Sequence, residues 1–373
     1  MSDLLKFFER WKDEFVKLIS TLVRYRSYNG EKDNINRFLD YLQSLFQAFR
    51  PDSVERRMTP VGDLLILDFF TQFEDKIVLL AHVDTVKVKD ENPSPEFKDG
   101  LLYGNGAYDM KTGIVLFYFV LKSVFQSAFD IKKSLRIIFN PDEESGSKYS
   151  KEIIYENSKD AKAVLIPEPS CPDGGVKVRR KAIGRIEIKI TGRAAHSGIE
   201  PEKGIDANRA LSELIFKIDD IVEKEGEVSF NPGIISGGVR KNVVSPFSEL
   251  KGEIRSFSNE KIERVLKKIE EIYEIKGAKI EPDVSFEHPA LEYNEKNKRL
   301  YRIAKQIADE IGYKLPECSS GGASDGSSLS YKGVPVIDGL GIKGTGAHSV
   351  SEHIIIDDFP FRAYLIAKLI ERI

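Results

Sequence analysis

Only two cysteines, three methionines and one tryptophan occur in 373 residues. Cys171 and Cys318 have no CxxC spacing and are too few for a disulfide framework, so they read as inert thiols in a reducing cytoplasm. No stretch approaches the roughly 18 apolar residues of a membrane span. The start of the chain runs directly into a charged amphipathic pattern, without the roughly 7–15-residue apolar core of a signal peptide. With a net charge of −3 and no Lys/Arg tract, the electrostatic footprint of a nucleic-acid or anionic-membrane binder is missing. Internal repeats and low-complexity segments are absent too. What remains is a cytoplasmic protein whose partners are small molecules or a second copy of itself.

Such a length exceeds one ordinary core, and two domains are expected. Residues 2–25 place Leu4, Leu5, Phe8, Trp11, Phe15, Leu18, Leu22 and Val23 at helical spacing, and residues 35–49 repeat the pattern. Apolar runs at 64–70, 77–81, 135–139 and 163–166 read as buried strands, with a nearly all-apolar helix over 110–129 between the second and third. Alternation of this kind implies an α/β fold with a largely parallel sheet. After about residue 178 the pattern changes. Ile186-Glu187-Ile188-Lys189-Ile190 alternates strictly, as in a sheet with one wet face, and opens a strand-helix-strand-strand-helix-strand series of ferredoxin-like type. The expected organisation is a catalytic domain, residues 1–179 and 290–373, interrupted by an α+β domain at 180–289.

Acidic residues and histidines collect just past the apolar runs. His82 and Asp84 follow the second strand, Glu143 and Glu144 the third, Glu168 the fourth, and His348 lies in a Gly-rich loop near the C-terminus. Asp109 stands at the mouth of the apolar helix. In open α/β sheets ligands gather at the carboxyl ends of strands. Two histidines and three carboxylates suit a pair of divalent ions about 3.5–4 Å apart, which needs a bridging carboxylate. Asp109 is the expected bridge, with His82 and Glu168 on one ion and Glu144 and His348 on the other. Asp84 has the spacing of a carboxylate that orients a ligand imidazole. Glu143 is placed to take a proton from a shared water and pass it to a leaving amine. Gly104-Asn105-Gly106 also suggests a phosphate cradle, but lacks the third Gly and the acidic residue about 20 positions on that a dinucleotide site wants.

His82-Val83-Asp84-Thr85-Val86, residues 104–111, Asp142-Glu143-Glu144-Ser145-Gly146, Glu168-Pro169, the 192–198 segment with His196, Gly321-Gly322-Ala323-Ser324-Asp325-Gly326 and Gly346-Ala347-His348-Ser349 form an ordered set. Together they resemble the signature of the co-catalytic zinc aminoacylase and carboxypeptidase family, with the glutamate carboxypeptidase branch nearest. The resemblance implies a zinc-exopeptidase catalytic domain carrying an inserted lid and dimerisation domain, two Zn²⁺ per subunit, and a homodimer. It also implies that Arg255 and Asn242 clamp the substrate carboxylate, that Gly321 and Gly322 line the substrate site, and that His196 polarises the scissile carbonyl in the partner subunit's site. Mixed N/O donors accept Co²⁺ or Mn²⁺ as well. Asn105, Thr112 and Gly326-Ser327-Ser328 depart from the family's usual residues; the last three bear on the substrate pocket.

The expected activity is hydrolysis of an amide next to a C-terminal amino acid, or of an N-acyl amino acid, by a water shared between the metals with Glu143 as general base. The alternatives are a deacylase of an amino-acid biosynthetic intermediate, resembling acetylornithine deacetylase or succinyl-diaminopimelate desuccinylase, and a metal-binding homologue without turnover.

Overall fold

In the computed structural model, which describes residues 2–90 and 94–373, the chain divides into two compact units. The first comprises the residues up to Val178, Tyr293–Ser320 and Ser324–Ile373; the second comprises Arg179–Glu292 with Gly321–Ala323.

An eight-stranded sheet forms the centre of the first unit. Its strands lie in the order Ser53–Arg57, Leu64–Phe69, Ser134–Asn140, Lys76–His82, Ala163–Ile166, Val336–Asp338, Val176–Arg180, Glu317–Ser320. The middle four run parallel, and antiparallel pairs flank them. Lys76–His82 and Ser134–Asn140 are in register from Lys76↔Ser134 to His82↔Asn140, so both strands end together. The loops that follow the parallel strands therefore open at one edge, where the acidic residues of the sequence lie.

Helix Thr112–Phe125 is buried on nearly every side: Ile114 to Phe117 and Phe119 to Leu121 are all inaccessible. Helices Asp3–Arg10, Lys12–Val23 and Phe359–Arg372 pack against it. Phe359 links them, stacking on Phe15 at 4.2 Å and meeting Phe119 edge-on at 5.0 Å. Complete burial of each such side chain contributes about 1.5–3 kcal/mol. The single helix expected over 2–25 is two helices, because Trp11 (φ −101°, ψ 10°) breaks the run; the apolar stripe continues across the break, which hides it from a periodicity reading.

Four short strands not anticipated from the sequence form a second, antiparallel sheet in the order Gly344–Thr345, His353–Ile355, Leu101–Tyr103, Glu96–Lys98. At two or three residues each they are too short to show alternation. They bring the C-terminal Gly-rich loop beside residues 104–111, with His353 opposite Tyr103.

The second unit is a five-stranded antiparallel sheet in the order Val228–Gly237, Phe247–Ser256, Ala182–Thr191, Ala278–His288, Glu274–Ile275. Its first four strands have the ferredoxin-like order, and helices Ala207–Glu225 and Asn259–Glu270 pack on it. Ile186, Ile188 and Ile190 are buried with Leu250 and Ile254 in this unit's own core. Val228–Gly237 is an edge strand on which Ile234 and Ile235 remain 63% and 53% exposed.

The reading of two free thiols is corrected: Cys171 and Cys318 are joined in a disulfide. They lie 147 residues apart and meet because Glu317–Ser320 is laid beside Val176–Arg180, a long-range pairing that Cys spacing does not reveal. The cysteines therefore no longer argue for a reducing compartment.

Candidate metal centre

His82 ends its strand with the imidazole wholly buried. Its Nδ1 lies 2.9 Å from the Asp84 carbonyl oxygen and 3.4 Å from Asp84 Oδ1. The Nε2 atom faces Asp109 Oδ1 at 3.2 Å and Glu168 Oε1 at 3.4 Å. On the other side of Asp109, His348 Nε2 lies 3.4 Å from Oδ2 and 3.1 Å from Glu144 Oε1. Each oxygen of Asp109 thus faces a different histidine, and each histidine has a second carboxylate beside it.

Asp109 owes its position to an irregular segment. Residues Ala107–Lys111 make one wide turn in which Asp109 (φ −117°, ψ 92°) and Met110 are not helical, and the Asp109–Met110 peptide is cis. The helix starts only at Thr112. Gly113, at its first turn, allows close approach to the chain before Glu168, since a Cβ there would lie 2.5 Å from Pro167 Cγ. Glu168 is fixed by its own backbone, whose carbonyl accepts the Gly341 N–H at 2.9 Å.

Asp84, fully buried, accepts the N–H groups of Glu143 at 3.2 Å and Glu144 at 3.0 Å, and the Asn29 amide at 2.8 Å. Beneath the acidic loop, Asn140 donates to Asp325 Oδ2 at 2.6 Å and to Ser147 at 2.9 Å. Ser147 donates in turn to Asp325. The buried Glu352 receives the N–H groups of Gly106, Tyr108 and Asp109. Asn29 and Glu352 were not anticipated from the sequence, and Asp325 only as part of a motif. Asn29 and Glu352 act on backbone or side chains far away in the chain, and no local pattern marks them.

The electrostatics are those of crowded, buried acids. Burial, reinforced by the nearby Glu168, pushes the Glu143 carboxyl well above the usual range. Burial raises Glu144 too, against the pull of His348. Burial also disfavours charge on Asp109, but hydrogen bonds from His348 and His82 outweigh it and hold that carboxyl far below the usual range. His348 is pushed up to about 10 by its bonds to Asp109 and Glu144. Burial disfavours charge on His82, but its bonds to Asp109, Asp84 and Glu168 outweigh this and raise it, so the acids around both imidazoles favour positive charge there, as donors that suit divalent ions do.

The donor set fits metal ions. Potential ligand atoms of His82, Asp109 and Glu144, and of His82, Glu143 and Glu168, lie within 4.8 Å of one another. Mixed imidazole and carboxylate donors suit Zn²⁺ and its neighbours. The second grouping puts Glu143 within ligand reach as well. The imidazoles themselves are met by Asp84, Asp109, Glu144 and Glu168, which leaves Glu143 as the half-buried acid standing beside them.

The remaining expected residues lie in the second unit. His196 is exposed, its Nδ1 accepting the Gly198 N–H at 3.2 Å, and the Asn242 carbonyl accepts the Ser197 N–H at 3.1 Å. Arg255 lies opposite the apolar face of its strand. Instead of standing free, its guanidinium forks onto Glu253 at 2.8 and 3.0 Å and donates to the Gly321 carbonyl at 2.7 Å. The Gly322 carbonyl accepts from Arg180 at 3.2 Å.

The fold and this donor set define a metal-dependent hydrolase. Residues 78–372 match the model of peptidase family M20/M25/M40, and the chain belongs to that family. It is 28% identical over 365 residues to carboxypeptidase G2 of Pseudomonas sp. (strain RS-16), covering 95% of this chain and 88% of that protein. It is 24% identical over 374 residues to succinyl-diaminopimelate desuccinylase of Nautilia profundicola, covering 95% and 98%. Among solved structures, aminopeptidase PepT of Bacillus cereus superposes with a TM-score of 0.84 at 23% identity, covering 96% of this chain and 98% of that one. The chain is a metal-dependent peptidase or amidohydrolase of this family. Among the described residues no helix is long and apolar enough to cross a membrane.

Proposed function

We propose that this enzyme holds two divalent cations, Zn²⁺ by the chemistry of its donors, and hydrolyses the amide of a C-terminal amino acid or an N-acyl amino acid in the manner of a carboxypeptidase. The observation that carries the two-ion reading is the split of Asp109, with Oδ1 at 3.2 Å from His82 and Oδ2 at 3.4 Å from His348. One ion would be held by His82, Glu168 and Asp109, the other by His348, Glu144 and Asp109, with Asp84 keeping the imidazole of His82 in orientation. When bound, two such cations supply Lewis acidity and lower the pKa of water.

The chain's own residues supply the rest. Glu143 takes the proton of the attacking water and returns it to the leaving nitrogen. Its carboxyl is shifted upward by burial, so it holds an accepted proton more firmly than an exposed glutamate does. In the second unit His196 stabilises the developing oxyanion. Asn242, Gly321 and Gly322 line the substrate site. Arg255 takes the substrate carboxylate: three of its five N–H groups are engaged by Glu253 and Gly321, and two remain for an incoming acid. The half-apolar edge strand Val228–Gly237 supports assembly as a homodimer through this unit, because an exposed edge with Ile234 and Ile235 invites pairing.

The similarity to succinyl-diaminopimelate desuccinylase supports a second reading, deacylation of a biosynthetic N-acyl amino acid. The two separate in a screen of dipeptides, N-acyl amino acids and their C-terminal amides with metal-reconstituted enzyme. Turnover of free-acid dipeptides or N-acylated glutamates supports the carboxypeptidase reading. Turnover confined to N-acyl diamino acids supports the deacylase, and turnover of the amides as fast as the acids contradicts both.

A further inference from the structure

We propose that Glu352 is the positioning residue that holds Asp109 in register with His348, so that both cation sites depend on it. This rests on the reading of Asp109 as the shared ligand.

Residues 104–109 run from the strand Leu101–Tyr103 into the first residues of the Ala107–Lys111 turn, where the leading N–H groups have no partner within the turn; the Ala107 N–H bonds the Gly104 carbonyl at 3.0 Å. One residue takes up four of the others. Glu352 Oε1 accepts from Tyr108 at 2.8 Å and Asp109 at 2.9 Å, while Oε2 accepts from Gly106 at 2.9 Å. The Glu352 carbonyl accepts the Gly104 N–H at 3.0 Å. Gly106, at φ 73°, takes a left-handed conformation that side chains rarely adopt. The carboxylate is 3% exposed, and charge-assisted bonds to a buried carboxylate are about twice as strong as neutral ones.

The same residue is tied to the other ligand. Glu352 donates its own N–H to the Ser349 carbonyl at 3.2 Å, one residue beyond His348, and the adjoining His353 pairs with both Thr345 and Tyr103. Glu352 thus fastens the Asp109 turn and the His348 loop to each other. With its side-chain oxygens occupied by backbone, it acts through Asp109 and does not touch the reacting atoms. Loss of this support displaces the one ligand shared by both ions, whereas loss of His348 removes a ligand from one.

The test is a zinc titration of the full chain against a chromophoric chelator for wild type, Glu352→Gln, Glu352→Ala and Asp109→Asn. Visible spectra of the cobalt-substituted proteins and melting of the metal-free proteins accompany it. Gln keeps one acceptor oxygen but turns an NH₂ toward the Gly106 N–H, so it perturbs the turn while preserving size; it carries the test if the Ala variant does not fold. Glu352→Gln should weaken both zinc sites by roughly 10–100-fold, the range for residues that support ligands from behind, and should shift the cobalt bands. Unchanged affinities and spectra with a lowered melting temperature would show that Glu352 only stabilises the fold. Weakening at one site alone would likewise overturn the proposal. If Asp109→Asn retains both ions at wild-type affinity, the shared-ligand reading fails on its own, whatever the Glu352 variants do.

Discussion

Asp84 accepts the backbone N–H of Glu144 at 3.0 Å, so the acid that meets His82 Nδ1 also fixes the loop carrying Glu143 and Glu144. Asp84→Asn would replace one acceptor oxygen by an NH₂ group that opposes a donor on either side, Glu143 at Oδ1 or Asn29 and Glu144 at Oδ2. The expected result is a roughly 10–100-fold loss of metal affinity and of kcat/KM, measured by chelator competition and initial rates. Wild-type values for both would remove Asp84 from the site.

Stability of the metal-free protein should fall as pH rises from about 5 to 8. Burial pushes Asp325 up to about 6 and Glu352 up to about 7, and raises Glu143 and Glu144. These carboxyls have folded-state pKa values above their unfolded ones, so the folded state binds more protons through this window and loses stability as they ionise. His348, raised to about 10 by Asp109 and Glu144, acts in the same direction, since its stabilisation is complete below the unfolded value and disappears as pH rises toward 10. Asp109 works the other way, below the usual carboxylate range, as do ion-paired carboxylates such as Asp68, but their contribution is lost at pH below this window. Thermal melts across pH should show the decline, flattened by added zinc; stability rising with pH in the metal-free protein would contradict the burial argument.

Reduction of the Cys171–Cys318 disulfide should destabilise the chain. A closed loop spanning 147 residues corresponds to about 5 kcal/mol of denatured-state entropy in the loop-closure model. Denaturant midpoints with and without reductant, together with the Cys318→Ser variant, measure it. Equal midpoints would show that the bond contributes nothing.

His82, Asp109 and the acids at the strand ends were legible because each follows an apolar run or opens an apolar helix, and parallel strands place their carboxyl ends together; His348 stood out through its Gly-rich loop. The ferredoxin-like unit was legible from the alternation at Ile186, Ile188 and Ile190. Three kinds of feature were not. The break at Trp11 leaves the apolar stripe intact. The strands at 101–103 and 353–355 are too short for a period. Asn29, Glu352 and the Cys171–Cys318 bond depend on contacts between residues distant in sequence, for which a single chain carries no local signal.

His196 provides a test of assembly. If it serves the partner subunit's site, co-expressing Glu143→Ala and His196→Ala chains at equal levels should return about a quarter of wild-type activity, because half the dimers are mixed and one of their two sites is intact. Recovery no greater than the average of the two single variants would assign His196 to its own chain or to structure.

The account's central claim is that Glu143 moves protons at a centre of two metal ions without being one of their ligands. Its most direct test is elemental analysis and steady-state kinetics on one preparation of Glu143→Gln. The prediction is about two metal ions per chain, as in the wild type, with kcat lowered by roughly 10² or more. Metal lost in parallel with activity would contradict it and place Glu143 among the ligands.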